Sequence, residues 1–131
     1  MSLISTELHT LGNVVKAEYN ADMAYCRTVV TVNDTAATLA IGTVLGKVTA
    51  TGKYKKAVQS AVDGSAVADA IVMRAVTILG ATDTKVLCLT RGPSSVSKTA
   101  LVLDATYDLD AEKAVVYASL EAKGIQVLDT I

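Results

Sequence analysis

The chain has 131 residues and a mass of 13.6 kDa, enough for one domain with a real core and too short for two of ordinary size. Hydrophobic residues make up 51% of it, charged residues 19%, and the 4% that is aromatic is all tyrosine, with no Phe or Trp. The net charge of −1 leaves no basic footprint for phosphate backbones, and no apolar run reaches the ~18 residues of a membrane span. The start, MSLISTELHTLG, lacks the basic residues and long apolar stretch of an export signal. Such a composition fits either unusually small-residue packing or a chain that hides apolar surface in an assembly, and the low charge favours the second.

Residues 1–18 are predicted to form an extended N-terminal arm, with Leu3, Ile4, Leu8 and Leu11 more apolar than a solvated tail requires. Gly12 separates these from a short extended piece, Val14, Val15, Lys16 and on to Glu18. Residues 19–131 are predicted to be one β-rich domain. Cys26 to Val32 is β-branched almost throughout and is stopped by Asn33 and Asp34, the pattern of a strand. Gly42 to Thr49 reads as a second strand, in which Gly46 signals a bulge or a close backbone approach. The Thr51-Gly52 turn then leads into a hairpin partner at Lys53–Ala57.

After the Asp63-Gly64 turn, Ala66 to Leu79 reads as one strand, and Thr84 to Thr90 as another. Pro93 fits a strand end, placing Ser95–Lys98 in a loop, and Ala100–Leu103 is a short extended run. One helix is expected over Leu109–Lys123, capped by Asp108 or Asp110 and released by Gly124 into a last strand from Ile125 to Leu128. Ala111, Val115, Ala118 and Ala122 are its predicted core stripe, widened by Val116 and Leu120. Many short strands and one late helix make an α+β chain that is mainly β.

Chemistry is hard to assemble from these residues. His9 is the one histidine, which deprives zinc and Ser-His schemes of their usual parts. Gly42 to Val48 has three residues between its glycines and Val after Lys47, where a phosphate loop needs four and a Ser or Thr. Ser95-Val-Ser-Lys98 matches the Ser-x-x-Lys of penicillin-recognising enzymes but lacks their other two elements. Asp104, Asp108, Asp110 and Glu112 do not follow a calcium-loop spacing and are better explained by helix capping. Lys53, Lys55 and Lys56 form a small basic spot that suits an exposed hairpin edge. Cys26 and Cys88 match no zinc or redox spacing and are read as two reduced, core-packed thiols. No catalytic, cofactor or metal residue is therefore expected, and no enzyme.

The run Gly42-Thr-Val-Leu-Gly-Lys-Val-Thr-Ala-Thr-Gly-Lys-Tyr54 carries a resemblance. Together with Asp63-Gly64, Leu89-Thr-Arg-Gly-Pro93, the helix ending Gly124-Ile125, and Cys26–Val32 ahead of them, it resembles the head decoration (capsid cement) proteins of tailed phages, the lambda protein D type. The likeness spans about residues 25–128, with 42–54 its most specific part; absent Trp and Phe and a longer N-terminal region set this chain apart.

The resemblance implies a compact β-clip or β-tulip-like fold and a homotrimer. It implies binding to the outside of an expanded icosahedral head, at three-fold and local three-fold positions on an HK97-fold major capsid protein, which stabilises the shell against DNA pressure. It also implies an arm that orders on the shell; Leu3, Ile4, Leu8, Leu11, Val14, Val15, Lys16 and Glu18 are the candidate contact residues. Synthesis in the host cytoplasm and location on the virion surface follow from the same likeness, while the charge balance and the lack of a long apolar run predict no nucleic-acid or membrane partner. The rival expectation is a small β-rich module that binds carbohydrate or peptide, for which scattered tyrosines offer little groove.

Overall fold

A computed structural model of the protein describes residues 14–19, 26–34, 37–59, 61–80, 82–104 and 106–128. Its elements in chain order are β1 (Val15–Glu18), β2 (Arg27–Val32), β3 (Ala37–Leu39), β4 (Val44–Lys47), β5 (Tyr54–Lys56), β6 (Ala68–Val72), β7 (Val76–Ile78), β8 (Thr84–Leu89), β9 (Ser94–Ser97), α1 (Asp110–Ala122) and β10 (Ile125–Leu128). The α+β, mainly β class is as expected. Strands β2-β5-β4-β6-β8 close into a barrel, β1-β9-β10 form a three-stranded sheet, and β3 pairs with β7 as a ribbon.

The barrel is built on β2, whose β-branched run pairs antiparallel with all of β8, from Arg27 opposite Leu89 to Val32 opposite Thr84. Asn33 and Asp34 end the strand by turning to its neighbours. The Asn33 amide N–H donates to Tyr54 O at 2.9 Å, and the Asp34 carboxylate accepts the Lys56 N–H at 3.0 Å. The register of β4 against β6 slips between Leu45 and Gly46, where the sequence signals a bulge. A Cβ on Gly46 would overlap the Ser65 backbone, so glycine is required there for space.

The predicted strand from Ala66 to Leu79 is two strands. Ile71 and Val72 of β6 pair with β8 in the barrel, whereas β7 leaves to join β3. No Gly or Pro marks the break, which is set by partners distant in sequence. Strand β3 itself went unpredicted. Ser95–Lys98, expected in a loop, lies mostly in β9, the central strand of its sheet: β1 pairs with one side and β10, in parallel, with the other. Ser94, Val96 and Ser97 are buried, and their small size lets the sheet pack closely. The extended run Ala100–Leu103 contributes only a bridge, Thr43 opposite Val102.

Helix α1 keeps its expected limits and changes its face. Val116 and Leu120 are its buried residues, while Val115 is 63% exposed and Ala111, Ala118 and Ala122 face solvent. Its first turn is closed by the Glu112 carboxylate, which accepts the Leu109 N–H at 3.2 Å, in place of an Asp108 or Asp110 cap. Gly124, at φ +86°, exits the helix as expected. Its backbone lies against Gly92 too closely for a side chain there.

Two apolar clusters fill the molecule. One, with Val30, Val32, Leu45, Val72, Val86 and Cys88, gathers the barrel strands and Ile78 of the ribbon. The other joins Val14, Cys26, Ile71, Leu89, Val96, Val116, Leu120 and Ile125, bringing the barrel, the three-stranded sheet and the helix onto one core. Both cysteines are buried free thiols; burial pushes the Cys88 thiol up to about 12.

Candidate functional site

The candidate contact residues divide at Val14. Leu3, Ile4, Leu8 and Leu11 lie outside the described residues. Val14 is fully buried in the larger cluster. A Cβ built on Gly42 would stand 3.1 Å from Val14 Cγ2 and 2.7 Å from Ala100 O, which shows how tightly the three segments meet. Val15 pairs with Val96, Ala17 with Ser95 and Glu18 with Ser94, with an irregularity between Val15 and Ala17. Lys16, within this strand, is half-buried.

Two interactions lock the end of β1. The Glu18 carboxylate, with its side chain 6% exposed, accepts Arg27 Nε at 2.7 Å and a second guanidinium nitrogen at 2.8 Å. The fork geometry of arginine makes this a two-bond clamp, and it raises the Arg27 pKa. The Tyr19 N–H then donates to Pro93 O at 2.8 Å. The segment Val14–Glu18 is thus an integral edge of the folded body. The last residues of the expected arm, Val14–Glu18, are thus packed on and paired with the body. Burial of Val14 and ladder hydrogen bonds of β1 were not visible in the sequence, since Ser94–Ser97 did not read as a partner strand.

The other candidates have structural partners. Lys53 pairs with Asp83 at 3.0 Å, Lys55 with Asp63 at 3.1 Å and Lys56 with Asp104 at 3.9 Å, so the basic spot is matched by acids. Hydrogen bonds from the Ser65 hydroxyl and N–H, with Lys55 beside them, hold the Asp63 carboxyl well below the usual carboxylate range. Asp104 accepts the Thr106 N–H and hydroxyl at 3.1 and 2.8 Å. Among the described residues no group of three or more His, Cys, Asp or Glu stands where it could hold a metal ion.

One concave feature stands out that the sequence did not suggest. A groove of about 840 Å³ lies between residues 98–108 and α1, lined by Leu101, Leu103, Tyr107, Ala114 and Tyr117 as well as charged residues. The Lys98 ammonium sits 4.9 Å from the centre of the Tyr117 ring. The Tyr107 hydroxyl is committed to Ala66 O at 2.7 Å, which fixes that ring in the wall.

No curated protein matches the sequence. The family model for bacteriophage lambda head decoration protein D matches residues 4–125, from within the N-terminal region through the barrel and the helix to the start of β10. The chain belongs to the bacteriophage lambda head decoration protein D family.

Proposed function

We propose that the protein is a capsid decoration protein that acts as a homotrimer on the outside of an expanded icosahedral phage head. Its partner is an HK97-fold major capsid protein, its positions are the three-fold and local three-fold axes, and its effect is to stabilise the shell against the pressure of packaged DNA. The observation that carries this reading is the family match over residues 4–125. A low charge content of 19% and a small-residue body are in keeping with surface buried between copies and against a shell. The protein is made in the host cytoplasm and works as part of the virion surface, with no catalysis.

In this reading the segment before Val14 makes the shell contact through Leu3, Ile4, Leu8 and Leu11. Val14, Val15, Lys16 and Glu18 anchor it to the body through β1. An extended segment gains main-chain hydrogen bonds by adding to a strand edge, while alternate side chains provide selectivity. Ordering each residue costs about 1–2 kcal/mol of backbone entropy, so one arm binds weakly by itself. Three arms per trimer convert weak contacts into firm attachment through effective concentration.

The test is co-sedimentation of the purified protein with expanded phage shells that lack it, followed by cryo-EM of the decorated particles. Density for three copies at each three-fold position is expected. Removal of residues 1–12 should release the protein from shells while leaving it folded. A protein that stays monomeric and ignores expanded shells would sink the proposal, and equal attachment by the truncated chain would remove the arm from it.

A further inference from the structure

The groove between residues 98–108 and α1 is chemically mixed. Lys98, Asp104, Asp108, Asp110 and Lys113 line it beside the apolar surface of Leu101, Leu103 and Tyr117. That mixture decides what can bind. A purely aliphatic occupant would strip water from charged groups and give them no hydrogen bonds in return, which is costly. The carboxylates repel a phosphate backbone, and the ammonium groups repel a polycation.

Much of the hydrogen-bonding capacity here is unspent. Lys53, Lys55, Lys56 and Lys123 each reach a carboxylate. Asp108, Asp110 and Lys113, by contrast, have no side-chain partner among the described residues. The walls around them are fixed in advance, as a binding cleft requires. Asp104 is held by the Thr106 N–H and hydroxyl, and the Tyr107 ring by its hydroxyl bond to Ala66 O. Protein segments suit the groove poorly, since strand addition needs a free strand edge and a docked helix needs an apolar groove. One wall is a helix; the other contributes a 3-10 turn at Lys98–Ala100 and the bridge of Val102 to Thr43.

A polyhydroxylated ligand meets every part of this lining. Its hydroxyls donate to carboxylates and accept from ammonium groups, while its C–H faces cover apolar and aromatic surface. The volume of about 840 Å³ lies within the roughly 300–1,000 Å³ of ligand-holding clefts, and an open groove suits a chain of sugars. We infer that the groove beside α1 binds a neutral oligosaccharide. Asp108, Asp110 and Lys113 are its hydrogen-bonding partners, and Leu101, Leu103 and Tyr117 its apolar floor. This site is additional to the shell contact proposed above and independent of it.

The test titrates isotopically labelled protein, without shells, with linear hexasaccharides of glucose, galactose, mannose and N-acetylglucosamine, followed by amide NMR spectra. At least one sugar should shift the signals of the groove walls saturably and leave those of the β3–β7 ribbon in place. Asp108→Ala and Lys113→Ala each remove a charged partner and should weaken binding about tenfold or more. Ala114→Arg, at an exposed helix position in the lining, should abolish it by filling the groove. Circular dichroism and melting temperature confirm that the variants stay folded. Absence of a saturable shift with all four sugars would overturn the inference, as would binding that survives all three substitutions. Equal shifts with trilysine or triglutamate would overturn it too, by making the groove an unselective charged surface.

Discussion

The Glu18 carboxylate and the Arg27 guanidinium meet through two hydrogen bonds of 2.7 and 2.8 Å. They join the end of β1 to the start of β2, across a stretch of chain in which the three-stranded sheet gives way to the barrel. The pair thereby couples the strand that anchors the N-terminal segment to the longest ladder of the fold.

Loss of that clamp should be felt in stability. Glu18→Gln keeps the shape and removes the charge, leaving the guanidinium one neutral acceptor in place of two charged ones. The Glu18 side chain is almost wholly buried, so a cost of about 1–3 kcal/mol is expected, as for hydrogen bonds to charged groups. Urea denaturation at neutral pH measures it. A midpoint within error of the parent would show that the pair behaves like an exposed surface bridge.

Glycines 46 and 52 should respond to substitution for different reasons. Gly46→Ala drives a Cβ into the Ser65 backbone and should cost about 1–3 kcal/mol or more through overpacking. Gly52, at φ +72°, has no atom nearer its Cβ position than Lys47 Cε at 3.9 Å. Its Ala variant meets only the left-handed backbone penalty of about 1–2 kcal/mol. Asn tolerates that conformation, so Gly52→Asn should recover much of the loss while Gly46→Asn deepens it. Thermal melts of the four variants distinguish space from conformation.

Local signals were enough for several elements of the fold, and long-range ones were missing for others, among them the break between β6 and β7. The β-branched run of β2, the Gly46 irregularity and the Gly124 exit each have a cause within a few residues of sequence. Ser94–Ser97 has no such cause: its strand exists because β1 and β10 flank it from both sides, at a sequence distance that no window spans. The packing of Val14 was hidden with it, since that residue could not be placed in a core whose other members were unknown. The groove was equally hidden, as it is made by two segments that meet only in the fold. The family resemblance, carried by residues 42–54, was legible because that run combines the barrel hairpin with its glycines.

The helix tests the correction of its face. Frequent alanine made Ala111, Val115, Ala118 and Ala122 look like a core stripe, yet Val116 and Leu120 are the buried pair. Leu120→Ala should cost about 2–5 kcal/mol by emptying the core. Val115→Ala should stay within about 0.5 kcal/mol, with any gain coming from alanine's better helix propensity. Equal losses in denaturant titrations of the two variants would restore the predicted stripe.

Stability should also fall on the alkaline side, and Cys88 is one reason. Burial holds its thiol up at about 12, against about 8.5 for a free cysteine in the unfolded chain. The folded state therefore keeps a proton that the unfolded state loses. Below about pH 8.5 both states are protonated and the contribution is complete. Above it the unfolded state ionises first, and stability declines until the folded thiol ionises near 12, by up to about 1.4 kcal/mol per pH unit. Tyr54, raised to about 12 mainly by burial and further by Asp69, adds to the same limb above about pH 10. Cys88→Ala leaves a small cavity, which is a constant offset, and removes the thiol's share of the slope. Urea titrations at pH 7.5, 9 and 10 should show the parent losing stability faster than the variant between the last two values. Parallel losses would mean that the Cys88 thiol ionises in the folded protein as readily as in the unfolded chain.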